Sequence, residues 1–330
     1  MMNNIMISVI FHDIFSRFPE GIEKTEDEGK VLSYEEFEMT SEYLKKNNID
    51  SFSENLSDDL KNRGVYCSSK YDKVIVISRS IVVEQMLWGL VYSNVYYYGG
   101  LAMSKNIILD FLKRKGFNVP DFVVSPSTRE ELFDKLGDDI VAKPIEHLTA
   151  KGKLVHRISK DRKNIDLNRW LFQKYVGEKI QPSWRYRVAS LFGKNILYYG
   201  SKYSVTDNKS YDKISKMEYV AKRWFDGAEF LTTDVPTEIL KMSEEVSKAL
   251  TKEFRGSIFG IDYVVDDDGT PWIIECNSSN TSLSLGKNRL PQEQKMVDKL
   301  YSTDPIDINF KNVPQLISKS CINFIENLNV

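Results

Sequence analysis

The segment SIFGIDYVVDDDGTPWIIECN (257–277) constrains this chain more than any other stretch. Two runs rich in β-branched and aromatic residues, 257–265 and 270–277, flank Asp266-Asp267-Asp268-Gly269, and this turn chemistry predicts a β-hairpin. The three aspartates lie at its far end and read as turn residues rather than ligands. Asp262 falls inside the first strand, Glu275 and Asn277 inside the second. Glu275 and Asn277 are two apart, so they share a strand face. If Asp262 pairs near them, three oxygen side chains converge, a hard donor set of the kind Mg²⁺ takes together with phosphate oxygens. Acids facing outward on a surface hairpin are the ordinary alternative.

Upstream, IMISVIF (5–11) reads as a strand, and the polar, acidic stretch 20–70 holds surface helices at 35–46 and 53–63. YDKVIVIS (71–78) carries the continuous β-branched run of a strand in a parallel sheet; a packed helix at 80–92 and a strand at VYYY (95–98) follow. Strand, helix, strand in that order predicts an α/β first domain. Ser104 then caps a helix with Ile107, Ile108, Phe111 and Leu112 at helical spacing and Gly116 as its stop. Next come a strand at FVV, a helix over 128–136 capped by Thr128, a strand DDIVAKP (138–144), a loop (145–153) and strands at 154–159 and 170–176. RYRVASLF (185–192) and ILYYGSKYSV (196–205) read as a hairpin turned at Gly193-Lys194-Asn195. Residues 206–236 read as a long loop with a short helix. A helix over 236–253 follows, with Thr237 as cap and Ile239, Leu240, Met242, Val246 and Leu250 inward, and the chain closes with a helix at 313–327.

Composition serves mainly to exclude. With 45 Lys+Arg against 47 Asp+Glu the formal charge is −2, which argues against a generally basic nucleic-acid binder. Cys67, Cys276 and Cys321 have no paired spacing, and His12, His147 and His156 no metal-ligand spacing. No apolar run approaches the ~18 residues that span a bilayer, and the N-terminal stretch reads as a strand rather than a leader. The expectation is a soluble cytoplasmic protein. No Ser/His/Asp or Cys/His arrangement offers a covalent nucleophile.

Asp262 followed by Glu275-Cys276-Asn277 resembles the ATP-grasp superfamily, in which an Asp and a Glu-x-Asn on paired strands hold two magnesium ions on ATP. ECNSSNTSLSL also looks like the end of the D-alanine–D-alanine ligase motif, with Asn280-Thr281-Ser282 where that family has Pro-Gly-Met. SKNIILDFLKRKGFNVPDF resembles the family's lysine-bearing helix, and IVAKP its strand-end lysine, which makes Lys105 and Lys143 the ATP-contacting lysines. WLFQKYV resembles the hinge that receives adenine, through backbone groups of Lys174, Tyr175 and Val176 with Gln173 alongside, and Glu178 near the ribose. The resemblance covers roughly 72–287. The phosphate-covering loop departs from the pattern: IEHLTAKGK has a single glycine, Gly152, with Thr149 and the charges of Lys151 and Lys153. Where many relatives have Asp-x-Arg, the chain reads SWRYRV. Arg185 and Arg187 share a face there, and Lys202 on the partner strand would complete a cationic catalytic cluster for a transferring phosphoryl group. This WR…GSKY pattern looks like a divergent branch named for two arginines and a lysine.

The resemblance implies α/β and α+β architecture: a pre-ATP-grasp parallel-sheet domain (1–103), two α+β subdomains clamping ATP (104–176 and 177–290), and a helical extension (291–330). It implies an ATP-dependent carboxylate–amine (or carboxylate–thiol) ligase working through an acyl phosphate with Mg²⁺, two ions, or Mn²⁺ in their place. The substrate would be a small molecule or peptide bearing a carboxylate, and the enzyme a homodimer. Two alternatives stand beside it: a kinase acting on an anionic acceptor on the same scaffold, and a nucleotide-binding regulatory protein without turnover.

Overall fold

A computed structural model describes residues 7–13, 34–55, 73–78, 95–99, 105–145, 156–161, 165, 167–168, 170–177, 184–202, 230–232, 234–254, 258–277, 318–319 and 322–323. Their strands form three sheets. The first contains β1 (Ile7–Asp13), β2 (Ile49–Asn55), β3 (Lys73–Ser78) and β4 (Val95–Gly99) in the order β2-β1-β3-β4, all parallel. Helix α1 (Tyr34–Lys45) lies between β1 and β2 in sequence. The parallel sheet is as expected, but β2 covers the start of the helix expected at 53–63. Seven consecutive parallel pairs with β1 decide the conformation of this polar segment against its weak local preference. The helix expected at 80–92 lies outside the described residues, as does most of that at 313–327.

The second sheet is built from β5 (Phe122–Val124), β6 (Asp139–Pro144), β7 (His156–Ser159) and β8 (Trp170–Lys174), ordered β5-β8-β6-β7. One of its faces, with Ile140, Ala142 and Phe172, packs on Leu132, Phe133 and Leu136 of α3 (Arg129–Leu136). That helix starts where Thr128 Oγ1 accepts the Glu131 amide at 3.1 Å and Glu131 accepts the Ser127 amide at 3.0 Å. It stops at Gly137, whose φ of 84° a side chain would resist. The alternate residues Lys143, Leu171 and Gln173 face the other way, because strand side chains alternate.

The third sheet takes the order β11-β10-β9-β12-β13, with β9 (Arg185–Leu191), β10 (Lys194–Lys202), β11 (Phe230–Thr232), β12 (Ile258–Val265) and β13 (Pro271–Asn277). β11 lies inside the stretch expected to be loop. The turn between β9 and β10 is two residues, Phe192 and Gly193, at φ 48° and 76°, so strand begins at Lys194 rather than after Asn195. At the tip of β12–β13, Asp266 Oδ1 accepts the amides of Asp268 and Thr270 and Oδ2 accepts the Trp272 indole N–H, which gives Asp266 the turn role expected of it.

Helix α4 (Thr237–Phe254) covers one face of this sheet. Its buried stripe is Ile239, Ser243, Val246, Ser247 and Leu250, with Leu240 and Met242 only partly covered. The serines let the helix approach closely: Ser243 pairs with the Tyr263 hydroxyl at 2.9 Å, and Ser247 Oγ accepts the Gly193 amide at 3.1 Å. Thr237 is the first helical residue, one position past the cap expected of it. Helix α2 (Lys105–Arg114) joins the same core through Ile108, Leu109, Phe111 and Leu112. Ile107, expected inward, is exposed, because the stripe centres one position further on.

Candidate active site

The face of the third sheet opposite α4 carries a row of aligned residues. Arg187 of β9 stands opposite Asp262 of β12, which stands opposite Glu275 of β13, and Tyr199 of β10 extends the row past Arg187. The alignment depends on a β-bulge. Tyr263 pairs with Ile273 whereas Asp262 pairs with Glu275, so Ile274 is the extra residue. Without it, Asp262 would face Ile274, and Glu275 would project among the apolar residues under α4. The Ile274 carbonyl accepts a hydrogen bond from Lys143 Nζ of the second sheet at 2.7 Å.

Three cations meet two carboxylates here. Arg187 holds Asp262 with two parallel bonds, Nε to Oδ1 and Nη2 to Oδ2, each 2.6 Å. Asn277 Nδ2 lies 3.4 Å from Asp262 Oδ2. Lys105 Nζ reaches Glu275 Oε1 at 2.8 Å. Lys105 opens α2, where the helix dipole disfavours a cation, and no acid stands in that first turn, so Glu275 supplies its compensation. Lys143, 5% exposed at the end of β6, donates also to Gln173 Oε1 at 2.9 Å. Gln173 is buried too, and its Nε2 has no partner among the described residues.

These environments shift the ionisations. Burial depresses Lys143 to about 8, against the opposing pull of Glu275. Burial works to raise Glu275, yet Lys105 and Lys143 outweigh it and hold the carboxyl at about 2. Asp262, 1% exposed, is pushed upward by burial while Arg187 draws it back. The same carboxylate raises Arg187, against burial, which works to lower it.

The structure therefore brings together Lys105, Lys143, Gln173, Arg187, Asp262, Glu275 and Asn277. Arg185 shares the face of Arg187, opposite Val264. The backbone register does not bring Lys202 to that face. A bulge between Asn195 and Leu197 shifts the β9–β10 register by one residue, so Ser201 stands opposite Arg185, and Lys202 falls at the alternate position, paired with Phe230. At the expected hinge, the amides of Lys174 and Tyr175 already donate to the carbonyls of Asp121 (2.8 Å) and Asp139 (3.1 Å), and Val176 follows the strand end. Thr149, Gly152 and Glu178 lie outside the described residues. Tyr199 and the Ile274 carbonyl escaped the sequence reading, since both positions depend on bulges.

The donor set is two carboxylates and one amide; among the described residues no three His, Cys, Asp or Glu side chains cluster as a metal site. Mg²⁺ fits this set, because it usually takes one or two carboxylates and completes its shell with phosphate and water. Among the described residues no helix is long and apolar enough to cross a membrane.

Comparison with known proteins agrees with this architecture. The YheC/D-like ATP-grasp family model matches residues 196–302, the stretch that supplies β10 to β13. No curated protein sequence matches the chain. Among solved structures, the macrocyclase MdnC bound with precursor peptide MdnA from Microcystis aeruginosa MRC is similar at 14% identity and a TM-score of 0.52, over 96% of this chain and 99% of that one. The ATP-grasp ligase PsnB complexed with minimal precursor is similar at 13% identity and a TM-score of 0.51, over 97% of this chain and 100% of that one. The family-model match spans about a third of the chain, and with these likenesses it shows that the chain has the ATP-grasp fold.

Proposed function

We propose that the chain is an ATP-dependent carboxylate–amine ligase working through an acyl phosphate, with nucleotide bound between the second and third sheets. One observation carries the reading: Lys105, Lys143 and Arg187, from three separate elements, converge on Asp262 and Glu275. Such a site suits a triphosphate, whose charge the cations would balance. Lys143 would meet the phosphates as a point charge. With the amides of Lys174 and Tyr175 engaged, the Val176 amide and the unpartnered Gln173 Nε2 would face the base. Asp262, Glu275 and Asn277 would hold Mg²⁺, which neutralises phosphate charge when bound.

In the reaction, the carboxylate oxygen of the substrate takes the γ-phosphoryl group and ADP leaves. The amine then attacks the acyl carbon, and phosphate departs. Arg187 and Arg185 would stabilise the transferred group, and exclusion of water would protect the acyl phosphate. The substrate would be a small molecule or peptide carrying a carboxylate, and the neighbour bound with a precursor peptide supports the peptide arm. The four-part division at 104, 177 and 291, a cytoplasmic setting and a homodimer complete the reading.

The test is a screen of metabolites and peptides for ADP release with Mg²⁺, with Asp262→Asn as the blank. The expected result is phosphate release only when both carboxylate and amine are present. A stable phosphorylated product would make the protein a kinase. Failure to bind any nucleotide would end the proposal.

A further inference from the structure

The carboxylates that would hold a metal already hold cations of the protein itself. Both oxygens of Asp262 are engaged by the Arg187 fork, and Glu275 Oε1 by Lys105. Lys143 stands over the same pair through the Ile274 carbonyl. Among the described residues two carboxylates thus face three cations, which leaves this cluster positive on balance. A bare divalent ion meets this excess and must displace a bidentate guanidinium from a 1% exposed aspartate. A polyphosphate meets the same excess as an attraction.

We infer that Arg187 and Lys105 are positioning residues that serve as resident counter-ions of Asp262 and Glu275, so that a divalent metal binds only after a polyphosphate has drawn them away. This rests on the reading of the cleft as a metal–nucleotide site. It gives Arg187 a role before chemistry, in addition to any contact with the transferred phosphoryl group. The bulge at Ile274 belongs to the device, since it places Glu275 and Asp262 on one row and gives Lys143 its carbonyl anchor.

The test follows free Mn²⁺ by its electron paramagnetic resonance signal as the full chain is titrated, without nucleotide and with a non-hydrolysable ATP analogue. Without nucleotide the parent protein should bind Mn²⁺ at least about tenfold more weakly than Arg187→Gln, because removing the guanidinium removes about a unit or more of competing interaction. Lys105→Gln, at the more accessible pair, should gain affinity in the same direction. Arg187→Lys, which keeps the charge, should gain less than Arg187→Gln. Adding Asp262→Asn to Arg187→Gln should abolish the gain, which a merely loosened structure would not. Near-ultraviolet circular dichroism checks that each variant is folded; if Arg187→Gln is not, Lys105→Gln alone decides. Nucleotide-free binding by the parent equal to that of the folded variants overturns the inference. The analogue arm, read against analogue and Mn²⁺ without protein, reports separately: no Mn²⁺ held by the protein there would overturn the nucleotide reading and the polyphosphate step with it, whereas the gain of Arg187→Gln in the nucleotide-free arm reports the counter-ion role alone.

Discussion

The two faces of the five-stranded sheet use the same strands for opposite ends. On the α4 face, Phe259, Ile261 and Tyr263 alternate along β12 into a continuous apolar core with Val188 and Ile273. On the other face, Asp262 stands between Ile261 and Tyr263 in sequence yet joins Arg187 and Glu275 in a charged row. The first face gains free energy from every residue it buries. The second loses free energy by desolvating charges and recovers it only through close pairing. Cohesion and recognition are thus separated by the alternation of single residues, and substitutions on the two faces should fail in different assays.

The largest stability effect should come from the core face. Phe259→Ala should cost about 3–5 kcal/mol in urea unfolding while leaving the nucleotide affinity of the folded fraction unchanged. A matching loss of affinity would join the two faces. Asp262→Asn should lower ADP release by about a hundredfold or more in a steady-state assay. Activity close to the parent would remove Asp262 from the chemistry.

Lys143 gives a signature in pH. Its folded value of about 8 lies below the ordinary 10.5, so below pH 8 the ammonium is charged in both folded and unfolded states and the cost of burying it is fully present. Between these values the folded protein has released a proton that the unfolded chain retains, so stability should rise with pH relative to Lys143→Met. Nucleotide affinity should fall over the same window, as the ammonium that attracts phosphate is lost. Parallel trends in both measurements would contradict this. The smallest effect is that of Tyr263→Phe, which removes the 2.9 Å bond to Ser243 and should cost about 1 kcal/mol in unfolding with no change in ADP release.

Much of this arrangement could be read from the chain because it follows local rules. The turn at Asp266–Gly269, the cap at Thr128, the run at 73–78 and the strand-end Lys143 are each dictated within a few residues. What escaped was register. A plain two-residue turn after Leu191 would set Lys202 on the arginine face, and one extra residue near Ile196 reverses that parity and brings Tyr199 beside Arg187 instead. A second bulge, at Ile274, works in the opposite sense and aligns Glu275 with Asp262. Neither is marked by a glycine or proline, so neither had a local signal. The Arg187–Asp262 pair follows from β9 lying beside β12, a neighbour relation that hydrophobic periodicity does not specify. At β2, long-range pairing overrode the local preference of polar residues.

The central claim is that the gap between the second and third sheets binds a nucleotide through Lys143. Isothermal titration of a non-hydrolysable ATP analogue with Mg²⁺ into the parent protein and Lys143→Met tests it directly. Saturable binding at one site per chain, weakened at least about tenfold in the variant, is the predicted result, equivalent to ~1.4 kcal/mol of lost interaction. Equal affinity in the two proteins, or no binding heat in the parent, would contradict it.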